Sequence, residues 1–215
     1  MPAPRRPQAR QRRLHGLLRA AHAGERAAAL AYRGHARSVS DVAQAGMIRR
    51  IEAEEWAHRA RLGAMLREQG TGPARLREVI FLTIGTTLGA LCRCSGWYLP
   101  MYGAGWIEAV NVQEYLTASA LAADCGEAGY AAELLVMAQC EREHEAYFRS
   151  LVAGRWQTRL LGLWRAPAPQ PATQRPLPPF APPKPLESPE LLPSAPQAAY
   201  LPAEPAVVVA AAAGP

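Results

Sequence analysis

Glu55 and His58, and again Glu141 and His144, set an imidazole three residues after a carboxylate. On an α-helix that offset turns through about 300°, so both groups of a pair point the same way, one turn apart. The neighbours repeat as well. Ile48, Ile51, Glu55, His58, Leu62 and Met65 follow one another at steps of 3-4-3-4-3, and so do Leu134, Met137, Glu141, His144, Phe148 and Leu151. That is the core-facing stripe of a bundle helix, so each Glu-His pair falls where apolar side chains are expected. One such pair is ordinarily a salt bridge or a satisfied core histidine. Two in matching stripes are different. A buried carboxylate without a partner costs on the order of several kcal/mol and two repel each other, so positive charge must lie between them.

Two lone glutamates extend the set. Glu25 precedes Glu55 by 30 residues and Glu114 precedes Glu141 by 27. In an antiparallel hairpin, facing residues lie equidistant from the turn. The first midpoint falls in Ser38-Val39-Ser40-Asp41, a turn and N-cap sequence, and the second in Asp124-Cys125-Gly126-Glu127-Ala128-Gly129. Glu25 has its own stripe with Leu14, Leu18, Ala21, Ala28 and Tyr32, and Glu114 lies near Ile107, Val110, Ala118 and Leu121. Two hairpins, each bringing one lone Glu level with one Glu-x-x-His, make the constellation of ferritin-like di-iron or di-manganese proteins. Four carboxylates and two divalent ions leave such a site neutral. The expected metal ligands are Glu25, Glu55, His58, Glu114, Glu141 and His144.

The elements that must position these residues read as an all-α chain: a ferritin-like four-helix bundle with an extra apolar crossover helix and disordered termini. Residues 1–13 carry Arg5, Arg6, Arg10, Arg12 and Arg13 with no acid before Glu25, a disordered basic arm. Residues 14–153 form the bundle. Helix one runs from about Leu14 to Arg37, and helix two from Asp41 to about Glu68, stopped by Gly70-Thr71-Gly72-Pro73. Residues 79–92 are nearly uncharged and too short to span a bilayer. They read as a buried helix or one that dips into a membrane interface, and Gly85 and Gly89 would let another helix or a flat ligand approach closely. Residues 95–106 read as a Gly-rich, aromatic loop, either a packed crossover or the mouth of an apolar substrate channel, with Ile84, Gly85, Gly89 and Trp97 along it. Residues 154–165 suit a short amphipathic helix at an interface, or a sixth helix capping the bundle. Residues 166–215 are Pro/Ala-rich, a disordered tail.

The net charge of +6 is concentrated in the N-terminal arm. No aromatics interleave with the arm and no nucleic-acid motif follows, which argues against a nucleic-acid partner. Cys92, Cys94, Cys125 and Cys140 form no C-x-x-C pair and no signal-peptide segment precedes helix one. Reduced thiols in a cytoplasmic protein are expected, peripheral on the membrane face if the apolar third helix touches lipid.

His22-Ala23-Gly24-Glu25 followed by Tyr32-Arg33-Gly34, with the two Glu-x-x-His motifs, resembles the demethoxyubiquinone hydroxylase family of ubiquinone biosynthesis. The resemblance covers roughly residues 14–152. It implies a ferritin-like fold with two irons, hydroxylation of a polyprenylated quinone ring by O2 at the membrane surface, and Glu55 and Glu141 as bridging ligands. Glu54, Glu143 and His22 are candidates to orient His58 and His144. Tyr32, Tyr115 and Tyr147 lie within a turn or two of ligand positions, where packing and hydrogen bonding are expected. The same ligands would also take manganese.

The expected function is therefore a di-iron monooxygenase acting on an apolar, quinone-like substrate, with O2 as co-substrate and a homodimer allowed. A ferritin-like ferroxidase without organic substrate is the first alternative, and a non-catalytic interaction bundle whose Glu and His merely pair is the second.

Overall fold

In the computed structural model, residues 5–167 and 169 are described, with side chains from residue 8 onward. The described residues are helical: α1 (Arg5–Ser38), α2 (Val42–Glu68), α3 (Arg75–Leu91), α4 (Tyr98–Asp124), α5 (Ala128–Val152) and α6 (Trp156–Leu161). α1 pairs with α2 and α4 with α5, and the two hairpins meet through α1–α4 and α2–α5 contacts.

Local chemistry sets both hairpin turns. Asp41 caps α2, its side chain accepting from the Gln44 amide at 2.9 Å. The α4–α5 turn is closed at Gly126, whose φ of 82° admits the paired bonds Gly126 N–H to Ala123 O and Glu127 N–H to Ala122 O, each 2.9 Å. The interior is two apolar layers. One gathers Leu14, Leu18, Leu62, Met65, Leu66, Leu134 and Met137, and the other Ile48, Ile51, Met101, Phe148 and Val152. Glu25, Glu55, His58, Glu141 and His144 lie on the same helices as these layers and are buried with them.

Two expectations about elements are corrected, and one left open between two roles is decided. α1 begins at Arg5 instead of about Leu14. Arg, Gln and Ala are good helix formers, Pro7 falls in the first turn where its missing N–H costs nothing, and the helix is anchored by Gln11 bonding to Gln69. Residues 98–106 are not a loop but the first turns of α4, with Pro100 again in a permissive first-turn position. The segment after α5 caps the bundle. α6 buries Thr158, and beyond it Trp164 donates to Glu145 Oε1 at 2.6 Å with Arg149 stacked 5.1 Å from its ring. The tail expected over 166–215 lies outside the described residues, apart from 166, 167 and 169.

α3 packs on α1. A Cβ at Gly85 would stand 2.5 Å from Ala27 O, one at Gly89 2.8 Å from Leu30 O, and Gly34 of α1 meets the Gly89 backbone directly. The small residues therefore serve backbone-to-backbone contact between the two helices. The N-terminal end of α3 is held by Glu78, which bonds to His22 Nδ1 at 2.7 Å and Arg59 Nη2 at 2.6 Å. Elsewhere on α3, Leu76, Val79, Ile80, Ile84, Leu88 and Leu91 are exposed.

Candidate metal centre

Each Glu-x-x-His turn brings two donors into the gap between the hairpins. Two groups of four donor atoms lie within 4.8 Å of one another: Glu25, Glu55, His58 and Glu141 in one, Glu55, Glu108, Glu141 and His144 in the other. Glu55 and Glu141 belong to both. All six residues are buried. His58 Nδ1 stands 2.9 Å from Glu141 Oε1, and His144 Nδ1 stands 3.3 Å from Glu55 Oε1 and 3.7 Å from Glu141 Oε2.

Five of the six residues expected as ligands converge here. Glu114 does not: it is exposed, on the wall of a neighbouring cavity, and Glu108 occupies the fourth helix's place in the cluster. The reason is helical phase. The buried face of α4 runs Met101, Ala104, Glu108, Val112, Tyr115, Ala118 and Ala122, at steps of 3-4-4-3-3-4. Glu108 lies on that stripe, and Glu114, one residue before Tyr115, is turned about 100° away. Reading 95–106 as loop cut the stripe short and hid its phase; extending helical periodicity back to Met101 would have found Glu108.

The electrostatics are those of a site built for cations. Burial pushes the Glu55 carboxyl well above its ordinary range, and the charges of Glu141 and Glu25 push it further. Glu108 is raised in the same way, by burial and then by Glu141. Burial opposes ionisation of Glu141 too, but the closeness of Glu108, His144 and His58 outweighs it and holds that carboxyl low. Both oxygens of Glu55, both of Glu141 and Oε2 of Glu25 accept no hydrogen bond among the described residues. Oxygens so deeply buried are ordinarily satisfied. Four carboxylates and two imidazoles whose donor atoms converge, with Glu55 and Glu141 common to both groups, fit two divalent ions of the hard or borderline class.

Neighbouring polar groups fix the donors. Glu54 Oε2 accepts from His144 Nε2 at 2.8 Å, which turns Nδ1 toward the cluster, where the neutral imidazole would present its lone pair to a metal ion. Tyr115 donates to Glu25 Oε1 and Tyr32 to Glu108 Oε1, while Asn111 Nδ2 donates to Glu108 Oε2 at 3.1 Å. Cys140 Sγ stands 3.5 Å from His144 Nε2. The other expected supports are elsewhere. His22 bonds to Glu78, Glu143 is exposed and accepts from Gln139, and Tyr147 packs edge-on against Phe148.

Beside the cluster lies a cavity of about 460 Å³ between α1, α3 and α4. Its walls are mostly apolar, including Ala27, Ala31, Phe81, Ile84, Leu88 and Ile107, and it reaches Tyr32 and Asn111, the two residues that bond to Glu108. Of the expected channel residues, Ile84 lines it. Gly85 and Gly89 are spent on the contact with α1, and Trp97 donates to Gln44 under the Arg155 guanidinium.

Compared with known families, residues 12–115 match the one described as ubiquinone biosynthesis protein COQ7. No curated protein and no solved structure matches.

Proposed function

We propose, from the match of residues 12–115 to the family described as ubiquinone biosynthesis protein COQ7, that the chain is an O2-dependent hydroxylase of an apolar, quinone-like substrate, holding two iron ions. The observation that carries this reading is the junction of two features: overlapping donor groups that share Glu55 and Glu141, and an apolar cavity whose polar edge is bonded to Glu108.

Glu25, Glu55, His58 and Glu141 would hold one ion, and Glu55, Glu108, Glu141 and His144 the other. Such a pair supplies Lewis acidity and electrons for the activation of O2. The rest is the work of this chain. Glu54 keeps His144 in the tautomer that presents Nδ1. Tyr115 holds one oxygen of Glu25 and leaves the other for coordination, while Tyr32 and Asn111 orient the Glu108 carboxylate from its two oxygens. The apolar cavity walls exclude water from the reaction. An organic substrate is favoured over simple iron oxidation because a cavity of this size and lining has no use in the latter.

The exposed apolar face of α3, with Trp106, Ile107 and Val110 of α4, supports peripheral contact with a membrane, from which an apolar substrate would be drawn. Among the described residues no helix is long and apolar enough to cross one.

The deciding experiment is the metal content of the purified wild type beside the Glu55→Ala/Glu141→Ala variant, followed by anaerobic reduction and exposure to O2. Roughly two irons per chain, lost in the variant, with an O2-dependent change in absorption, are expected for a site of this kind. A wild type that takes up neither iron nor manganese would overturn the reading and leave a structural bundle.

A further inference from the structure

His35 is a buried histidine on the cavity wall with no assigned part in the metal centre. It is 3% exposed, it lines the apolar cavity, and its Nε2 has no hydrogen-bond partner among the described residues. Its ring is stacked with Tyr32 (centroids 6.4 Å apart, planes 20°) and with Phe148 (6.2 Å, 18°), so its place is set by packing. Burial alone lowers its pKa from 6.5 to about 4, so the imidazole is neutral at neutral pH and carries one N–H and one lone pair. A buried polar atom left unbonded costs on the order of 1–3 kcal/mol. A cavity wall is where such a cost is relieved by a ligand.

We propose that His35 is a substrate-positioning and specificity residue, whose Nε2 hydrogen-bonds to a ring oxygen, carbonyl or hydroxyl, of the molecule that fills the cavity. The inference rests on the reading of that cavity as the substrate site. Three features of the cavity support it. First, His35 lies one helical turn from Tyr32, whose hydroxyl bonds to Glu108, so a ring oxygen held at His35 keeps the ring beside the metal-binding side of the wall. Second, the α1 residues lining the cavity before Tyr32, namely Ala20, Gly24, Ala27, Ala28 and Ala31, are small and apolar over about 17 Å of helix, which suits an aliphatic tail and offers it no polar anchor. Third, the imidazole can donate to a carbonyl or accept from a hydroxyl by exchange of tautomer, so one residue serves oxidised and reduced forms of a quinone-type ring.

The test is competitive displacement of an apolar fluorescent dye from the full chain by two probes of similar shape, a decyl-substituted methoxybenzoquinone and decylbenzene, which lacks the oxygens. Wild type is expected to prefer the quinone by about fivefold to tenfold, the worth of one buried hydrogen bond. His35→Leu should erase that preference while binding decylbenzene as before, and His35→Gln, which keeps a donor and an acceptor, should restore most of it. Circular dichroism checks that each variant is folded. A preference that survives in His35→Leu, or one missing from wild type, overturns the proposal. Metal analysis of the same preparations separates it from the function reading. A metal-loaded protein whose preference ignores His35 sinks only the role of His35, whereas a metal-free protein whose preference follows His35 sinks only the hydroxylase.

Discussion

Glu108 and Glu114 stand six residues apart on one helix, and their surroundings assign them opposite roles. Glu108 is buried, with both oxygens engaged by Tyr32 and Asn111 at the edge of the donor cluster. Glu114 is exposed on the cavity wall, and its carboxyl is raised by partial desolvation there, with no charged partner behind the shift. Glu108→Ala is therefore expected to lower bound metal from roughly two ions per chain to one or fewer, while Glu114→Ala leaves it unchanged. Metal analysis after reconstitution decides, and equal loss in both variants would restore Glu114 as a ligand. This is also where the sequence was partly legible. Glu55, His58, Glu141 and His144 announced themselves because their spacing is intrinsic to a helix, and Glu25 because its turn sat at Asp41. Glu108 was hidden because its evidence lay in the phase of a helix whose glycines, proline and aromatics resemble a loop.

At the level of elements, the site depends on how closely α3 lies on α1. That closeness is set by glycine. A methyl added at Gly85 would meet the Ala27 backbone at 2.5 Å and 2.6 Å, and backbone cannot swing aside as a side chain can. Gly85→Ala should lift α3 and cost about 1–3 kcal/mol of stability in urea denaturation, the usual range for overpacking. Gly46 of α2 is the contrast, since a Cβ there meets nothing within 4 Å. Gly46→Ala should stabilise by about 0.5–1 kcal/mol through helix propensity alone. If the two substitutions behave alike, the close α1–α3 contact is not what holds the cavity wall. From the sequence, Gly85 and Gly89 were legible as points of close approach, but whether a helix or a ligand approaches is a property of the neighbour, which no local pattern contains.

For the molecule as a whole, the question is what the uncovered apolar face does. Leu76, Val79, Ile80 and Leu91 of α3 are each about half exposed or more, and Leu99 and Trp106 of α4 extend the uncovered apolar surface. Exposed apolar patches of this kind mark interaction sites. Co-sedimentation with phosphatidylcholine vesicles is expected for the wild type, and a several-fold loss for Leu76→Glu/Ile80→Glu, since charges at the interface oppose insertion. Both residues point outward, so folding and metal content should be unchanged. Undiminished vesicle binding by the variant would move the membrane contact away from α3.

The sequence by itself determined the all-helical class, the two hairpin turns, the buried Glu-x-x-His pairs and the requirement for positive charge between them. Those follow from periodicity, capping and the cost of burying like charges, all of which act over a few residues. Tertiary structure alone decided that Glu108 completes the cluster, that Glu54 and not His22 or Glu143 orients an imidazole, that Tyr32 and Tyr115 hold carboxylates while Tyr147 only packs, and that His35 faces a cavity. Each of these depends on the rotation of one helix about its axis relative to another. That rotation is fixed by the packing of whole faces, such as Gly85 against Ala27, and not by the residues whose chemistry it decides.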